Sequence, residues 1–351
     1  MTKKILLIGS QPDKMTRLQR TYWSLKKLGF DVEVMHPYTK PDGAPRTLKG
    51  IIRYLILLIQ VAISKADIYH FFNVPDIIGL PLLLKRGKFI FDIRTPWFSA
   101  IKESLGNSFL SKVAKIIEYV MTRGADVVLS ANYLIAYRAY QLGARRITMV
   151  PNYPPASFGP QHDREFMRNS LKLSNRPTVL FLGKISKIEG SNLLKRIIAY
   201  TSKAIPEVLF LIVGSGPEED SLSSFIQRNS LDNNVLMTGW ISHDDVPDYI
   251  VASDICLLPR RWDSLSSYTA PESVTKAAEY LAVGRPIIAP KMGGFATAEF
   301  PVISVDPSKM ADALIDFLKN PKPFGSFPKP SWDVSHERLR RVYTRLGAIE
   351  S

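Results

Sequence analysis

Short apolar runs alternate with segments of helical period along almost the whole chain. KILLIG (4–9) precedes a helical segment near 14–28, DVEVMHP (31–37) precedes a long apolar stretch, and DIYHFF (67–72) and KFIFDIR (88–94) follow. A helix is expected near 109–123, then ADVVLSA (125–131) and RITMVPN (146–152). Strand-length apolar runs separated by helices predict a parallel sheet with crossover helices. The pattern breaks at PNYPPASFGP (151–160), whose prolines suit a linker between domains.

From Pro177 the alternation restarts. TVLFLG (178–183), EVLFLIVGSG (207–216), NVLMTG (234–239) and DICLLP (254–259) read as strands, with helices expected near 190–204, 218–230 and 243–252. Ser242 to Asp245 is expected to form a capping box opening the last of these, and Gly284 to close the helix SVTKAAEYLAV ahead of the strand PIIAP. The expected architecture is therefore α/β with two Rossmann-like domains, 1–155 and 156–330. A basic helix at 331–351 is expected to pack back on the first domain.

The stretch 48–65, LKGIIRYLILLIQVAISK, is apolar from Ile51 to Ile63 except at Arg53 and Gln60, too short for the roughly 20 residues that span a bilayer. It reads as a core helix. The alternative is a helix partly exposed at a membrane interface, flanked by Lys49, Arg53 and Lys65.

Charge narrows the choice of partner. The chain of 351 residues carries net charge +14, yet residues 1–159 hold 23 Lys and Arg against 10 Asp and Glu, so nearly all of the excess lies in the first half. Such asymmetry suits an anionic partner, with a merely solvated basic surface as the alternative. Nucleic acid is disfavoured because no helix-turn-helix, zinc-finger or aromatic RNA-binding signature accompanies the charge. The single cysteine, Cys256, sits in an apolar run and reads as a core residue in a reducing, cytoplasmic setting. The five apolar residues before Gly9 fall short of a signal-peptide core.

Several chemistries lose support. GSQPDKM after the first strand lacks the Gly-x-Gly-x-x-Gly turn of dinucleotide enzymes, and GSGPEED (214–220) lacks the third glycine. The five histidines are scattered, so no metal site is expected. No GxSxG elbow presents a serine. More informative is TAPESVTKAAEYLAVGRPIIAPKMGG (269–294), where the N–H groups around Ser273, Val274 and Thr275 open a helix that can receive a phosphate. Glu279 lies about 9 Å further along the helix, a reach suited to a ribose.

The ordered blocks ADVVLSAN, VPNYPPASFGP, TVLFLGKISKIEG, FLIVGSGPEED, VLMTGWISHDDVPDYIVASDICLLP and KAAEYLAVGRPIIAPKMGG span most of 125–294. Together they resemble the retaining glycosyltransferase family 4 group, which has the GT-B fold of two facing Rossmann-like domains with a cleft between them. The resemblance implies sugar transfer from a nucleoside-diphosphate sugar, UDP- or GDP-linked, without a further cofactor. It implies that Lys184, standing where the family has Gly-Arg, contacts the diphosphate. Glu189-Gly190 replaces the family's Lys-Gly, and Lys187 is the expected substitute cation. Gly214 and Gly216 match the turn near the nucleotide, and Glu279 matches the ribose-holding acid of a glutamate pair. The first acid of that pair falls on Pro271, leaving the adjacent Glu272 as the candidate sugar contact.

On the acceptor side, Arg94 stands where many relatives have a sugar-contacting histidine, beside Asp92, and Gly9, Ser10 and Gln11 match the family's first loop. A lipid-linked or anionic glycan acceptor at the cytoplasmic membrane surface is expected, with peripheral contact to anionic lipid. The alternatives are a nucleotide-sugar epimerase and a non-catalytic nucleotide-sugar-binding module.

Overall fold

The computed structural model describes residues 3–9, 16–37, 48–73, 75–106, 108–263, 265–297, 299–321 and 323–347. The chain divides into two units, Met1–Asn152 with Asp333–Ser351, and Tyr153–Trp332.

In the first unit β1 (Lys4–Ile8), β2 (Asp31–Met35), β3 (Ile68–Phe72), β4 (Lys88–Ile93), β5 (Val127–Ser130) and β6 (Ile147–Met149) form a parallel sheet ordered β2-β1-β3-β4-β5-β6. Ile5 pairs with Val32 on one side and Ile68 on the other. Every residue of β3 and β5 is buried, which is why these strands read as unbroken apolar runs rather than alternating ones.

The connections are α1 (Thr16–Lys27), α2 (Leu48–Ile63), a 3₁₀ segment Asp76–Leu84, α3 (Trp97–Leu105), α4 (Ser108–Gly124) and α5 (Tyr133–Gln141). Only the step from β1 to β2 runs in the opposite direction along the sheet. Right-handed crossovers therefore put α1 on one face and α2, the 3₁₀ segment, α4 and α5 on the other.

In the second unit β7 (Thr178–Leu182), β8 (Leu209–Val213), β9 (Val235–Gly239), β10 (Ile255–Leu257), β11 (Ile287–Pro290) and β12 (Val302–Val305) form a parallel sheet ordered β12-β11-β10-β7-β8-β9. Counted from β7, this is the 3-2-1-4-5-6 order of dinucleotide-binding folds. The helices are α6 (Arg164–Ser170), α7 (Ser191–Ala204), α8 (Glu219–Arg228), α9 (Val246–Ala252), α10 (Thr275–Ala282) and α11 (Met310–Lys319). Ile197, Leu222 and Leu314 fill the core on one sheet face against Phe181 and Phe210. Ile250, Tyr280 and Leu281 fill the other against Leu180 and Leu211.

The last helix, α12 (Trp332–Arg345), packs on the first unit. Ser335 Oγ donates to the Pro151 carbonyl and Arg338 to that of Met149, both at 2.8 Å, while Leu339 and Tyr343 are fully buried.

Two expectations are corrected. The helix 48–63 is not a core helix: Leu57 and Val61 are buried, whereas Ile51, Ile52, Leu55, Ile56, Ile59 and Ile63 are 46–72% exposed. A narrow stripe suffices to seat the helix, and the remaining apolar residues face outward. Nor does Ser242 cap α9, which opens at Val246 with Pro247 in its first turn and no side-chain cap. Instead the Asp245 N–H bonds the Ser242 carbonyl at 3.1 Å, closing a turn ahead of the helix. Gly284 does close α10, with φ +85° and its N–H on the Leu281 carbonyl at 2.9 Å.

Candidate functional site

Neighbouring strands β7 and β10 feed connections that leave in opposite directions, so a crevice opens outside their carboxyl ends. The loops after them touch through backbone. Gly190 has φ +87°, and a Cβ there would lie 1.6 Å from the Pro259 carbonyl oxygen, so only glycine lets the two loops meet.

Charge converges on this crevice. The Lys276 ammonium, from the second residue of α10, lies 2.6 Å from Glu189 Oε2 and 5.4 Å from the centre of the Phe181 ring. A Cβ on Gly183 would approach it to 3.1 Å, so the glycine ending β7 makes room for the cation. Burial alone would raise the Glu189 pKa, but Lys276, with help from Arg260, holds it below the ordinary value. Arg260 is mostly buried, 3.8 Å from Asp263, and its Nε has no hydrogen-bond partner. Lys184 is exposed at the end of β7. Lys187 extends into solvent, 3.9 Å from Glu218.

The turn into α10 engages two of the expected amides. Both the Ser273 and Val274 N–H groups bond the Ala270 carbonyl, at 2.9 and 3.2 Å. No side chain caps α10, so among the described residues its open N–H groups begin at Thr275. Glu272, in the same turn, has one buried carboxylate oxygen, Oε2, without a partner, and burial raises its pKa. Glu279 is buried one helical turn beyond Thr275, its Oε1 2.9 Å from His243 Nε2. Gly214 and Gly216 bring the loop after β8 against Gly183 and Ile185.

The first unit carries a second cluster, at the carboxyl ends of β3 and β4. Asp92 lies 2.8 Å from Arg17 Nε and 3.2 Å from His70 Nε2, all three buried. His70 Nδ1 lies 2.8 Å from the Tyr343 hydroxyl, so the partners assign Nε2–H as donor to Asp92 and the tyrosine as donor to Nδ1. Burial opposes ionisation of Asp92, but Arg17 and then His70 outweigh it and hold its pKa at about 2. Burial lowers the pKa of His70, against the opposing pull of Asp92. The Arg94 N–H donates to Asn73 Oδ1 at 2.9 Å, while its buried Nε has no partner. Gly9 follows β1 directly; Ser10 and Gln11 lie outside the described residues.

Residues 176–320 match the family model described as Glycosyl transferases group 1. The chain is 24% identical over 308 residues to alpha-D-kanosaminyltransferase of Streptomyces kanamyceticus, a match covering 81% of this chain and 75% of that protein. Among solved structures it resembles a sucrose-phosphate synthase from Thermosynechococcus elongatus, with TM-score 0.69, 16% identity, and 98% and 96% of the two chains covered. It also resembles Anabaena HepE in complex with UDP and glucose, with TM-score 0.67, 16% identity, and 99% and 100% covered. The chain has the GT-B fold shared by these structures.

Reading this chain from sequence misses Lys276 and Arg260. Both belong to the crevice, yet neither stands in a position singled out by the resemblance. One signal pointed toward Lys276: an acid at position 189, where the resemblance leads one to expect a base, needs a compensating cation. Arg260, in the plain run PRRWD after β10, offers no comparable signal.

Proposed function

We propose that the protein transfers a sugar from a UDP- or GDP-sugar to a hydroxyl acceptor with retention at the anomeric carbon. The observation that carries this reading is the Lys276 ammonium set at the end of β7, beside Gly183, in the crevice where the sheet reverses direction. A diphosphate laid there meets Lys276, Lys184, Arg260 and the open N–H groups of α10. The ribose falls to Glu279, and the unpartnered Glu272 oxygen is available to a donor-sugar hydroxyl.

In the reaction the bond from the anomeric carbon to the β-phosphate oxygen breaks and a bond to the acceptor oxygen forms on the same side. The acceptor proton leaves with the phosphate oxygen. Fixed cations that meet the growing phosphate charge lower the barrier without reorganising, so no side chain need act as a covalent nucleophile. We assign the acceptor to the carboxyl edge of the first sheet, near Gly9 and Arg94, with Asp92 holding the strand ends through Arg17 and His70. The cationic first half favours a lipid-linked or anionic glycan acceptor presented at a membrane surface.

The test is differential scanning fluorimetry with UDP, GDP, ADP and their sugar conjugates, since a ligand that binds the folded form raises Tm. A shift with one nucleotide, lost in Lys184→Ala and Lys276→Ala, supports the donor site. No shift at millimolar concentration overturns it. The anomeric configuration of the product, read by NMR, decides retention.

A further inference from the structure

The helices covering one face of the first sheet carry large apolar residues on their outer sides as well as their inner ones. On α4 the buried stripe is Ser111, Ala114, Glu118, Met121 and Thr122, with one large apolar side chain, while Phe109, Val113, Ile116 and Val120 face solvent. These outward residues recur at spacings of four, three and four, a continuous apolar strip along the helix. On α2, the five outward isoleucines and Leu55 form the equivalent strip. Leu84, 90% exposed, ends the 3₁₀ segment that packs along both helices. Tyr133, Tyr137 and Tyr140 line the outer side of α5, which Arg138 ties to α4 through a two-pronged bond to Glu118 at 2.8 and 2.6 Å.

Cations rim this surface: Lys49 and Arg53 on α2, and Lys112, Lys115 and Arg123 on α4, all exposed. On α2, α4 and α5 the sole acid is Glu118, buried and paired. Water is a poor solvent for so large an apolar face on a monomer. A second copy of the face would set cation against cation. Apolar strips rimmed by Lys and Arg, with tyrosines at the edge, match the headgroup boundary of a bilayer, where apolar side chains enter the acyl region and cations stay among phosphates. Among the described residues no helix is long and apolar enough to cross a membrane.

We propose that the face built from α2, the 3₁₀ segment, α4 and α5 docks the protein on a lipid bilayer bearing anionic headgroups, inserting the outward strips of α2 and α4. This deepens the reading of a surface-presented acceptor and rests on that reading only for its use. The outward residues bury little within the fold, so polar replacements leave it intact.

Co-sedimentation of the full chain with vesicles tests it, without donor or acceptor. Binding to vesicles of phosphatidylcholine with phosphatidylglycerol is expected, weaker at high salt and at least tenfold weaker on phosphatidylcholine alone. Ile59→Glu with Ile63→Glu, or Ile116→Glu alone, lowers binding at least tenfold, and Lys112→Ala and Lys115→Ala about fivefold each. Tyr200→Glu, an exposed aromatic on the second unit, has no effect. Circular dichroism and Tm verify that each variant folds. The proposal is overturned if the protein ignores the anionic vesicles at low salt or if the face variants bind like the parent. It is equally overturned if sedimentation velocity shows a lipid-free dimer that those variants dissolve. Donor binding to Lys276→Ala is a separate readout, so either reading can fail alone.

Discussion

Lys276 Nζ lies 2.6 Å from Glu189 Oε2, although 87 positions separate the two residues in the chain. The pair brings a cation to the end of β7 and keeps it there with a partly buried acid. Lys276→Met strands the carboxylate and is expected to cost about 3 kcal/mol in urea unfolding. Glu189→Met with Lys276→Met is expected to recover most of that loss, yet to bind UDP or GDP at least tenfold more weakly than the parent by calorimetry. Parent-like binding by the double variant would reduce the pair to a structural role.

A second prediction concerns acid. Because the folded pKa of Asp92 is about 2 against an ordinary 3.8, the linked stability is present above pH 4 and lost as pH falls toward 2. The difference is worth about 2 kcal/mol. Burial lowers the pKa of His70, which adds a loss that sets in as pH falls through the ordinary 6.5, where the unfolded chain takes up the proton. Asp92→Asn should flatten the low-pH limb of a stability profile while lowering the plateau by about 3 kcal/mol, since Arg17 is left buried without its counter-charge.

Cys256 supplies a probe of opening. Burial pushes its thiol up to about 12, so the thiolate is scarce at pH 8. Thiol reagents are expected to label the native chain only as fast as β10 is exposed by unfolding, and addition of urea should accelerate labelling steeply. Rapid labelling in buffer alone would contradict the enclosed position.

The two sides of α2 should respond differently to substitution. Leu57→Ala empties a buried position and is expected to cost about 2–5 kcal/mol, whereas Ile59→Gln, on the outward strip, should change stability by about 0.5 kcal/mol or less. Denaturant midpoints of the two variants separate an outward-facing strip from a helix buried all round.

The parallel sheets were legible because their central strands, such as FIFDI in β4 and LFLIV in β8, are buried on both faces and leave unbroken apolar runs. The helix α10 was likewise readable, but it opens at Thr275 rather than at Ser273, which brings Glu279 to about 6 Å from its start instead of about 9. What escaped was set by tertiary pairing. Nothing local to Glu189 reveals that Lys276 will meet it, and the cluster around Asp92 draws on residues 17, 70 and 343 from three other elements. The orientation of α2 escaped for a different reason: a helix apolar on most sides carries no mark of which side the sheet will cover.

The place of α12 bears on the order in which the chain is made. Tyr343 completes the bonding of His70, yet the ribosome delivers it only after the entire second unit has emerged. Until then the nascent first unit holds a vacant seat over Phe30 and His70, exposing apolar side chains and an imidazole lacking its hydroxyl partner. Synthesis interrupted between residues 152 and 333 would therefore release a chain with a finished sheet and an open wound in its packing, a natural substrate for chaperones.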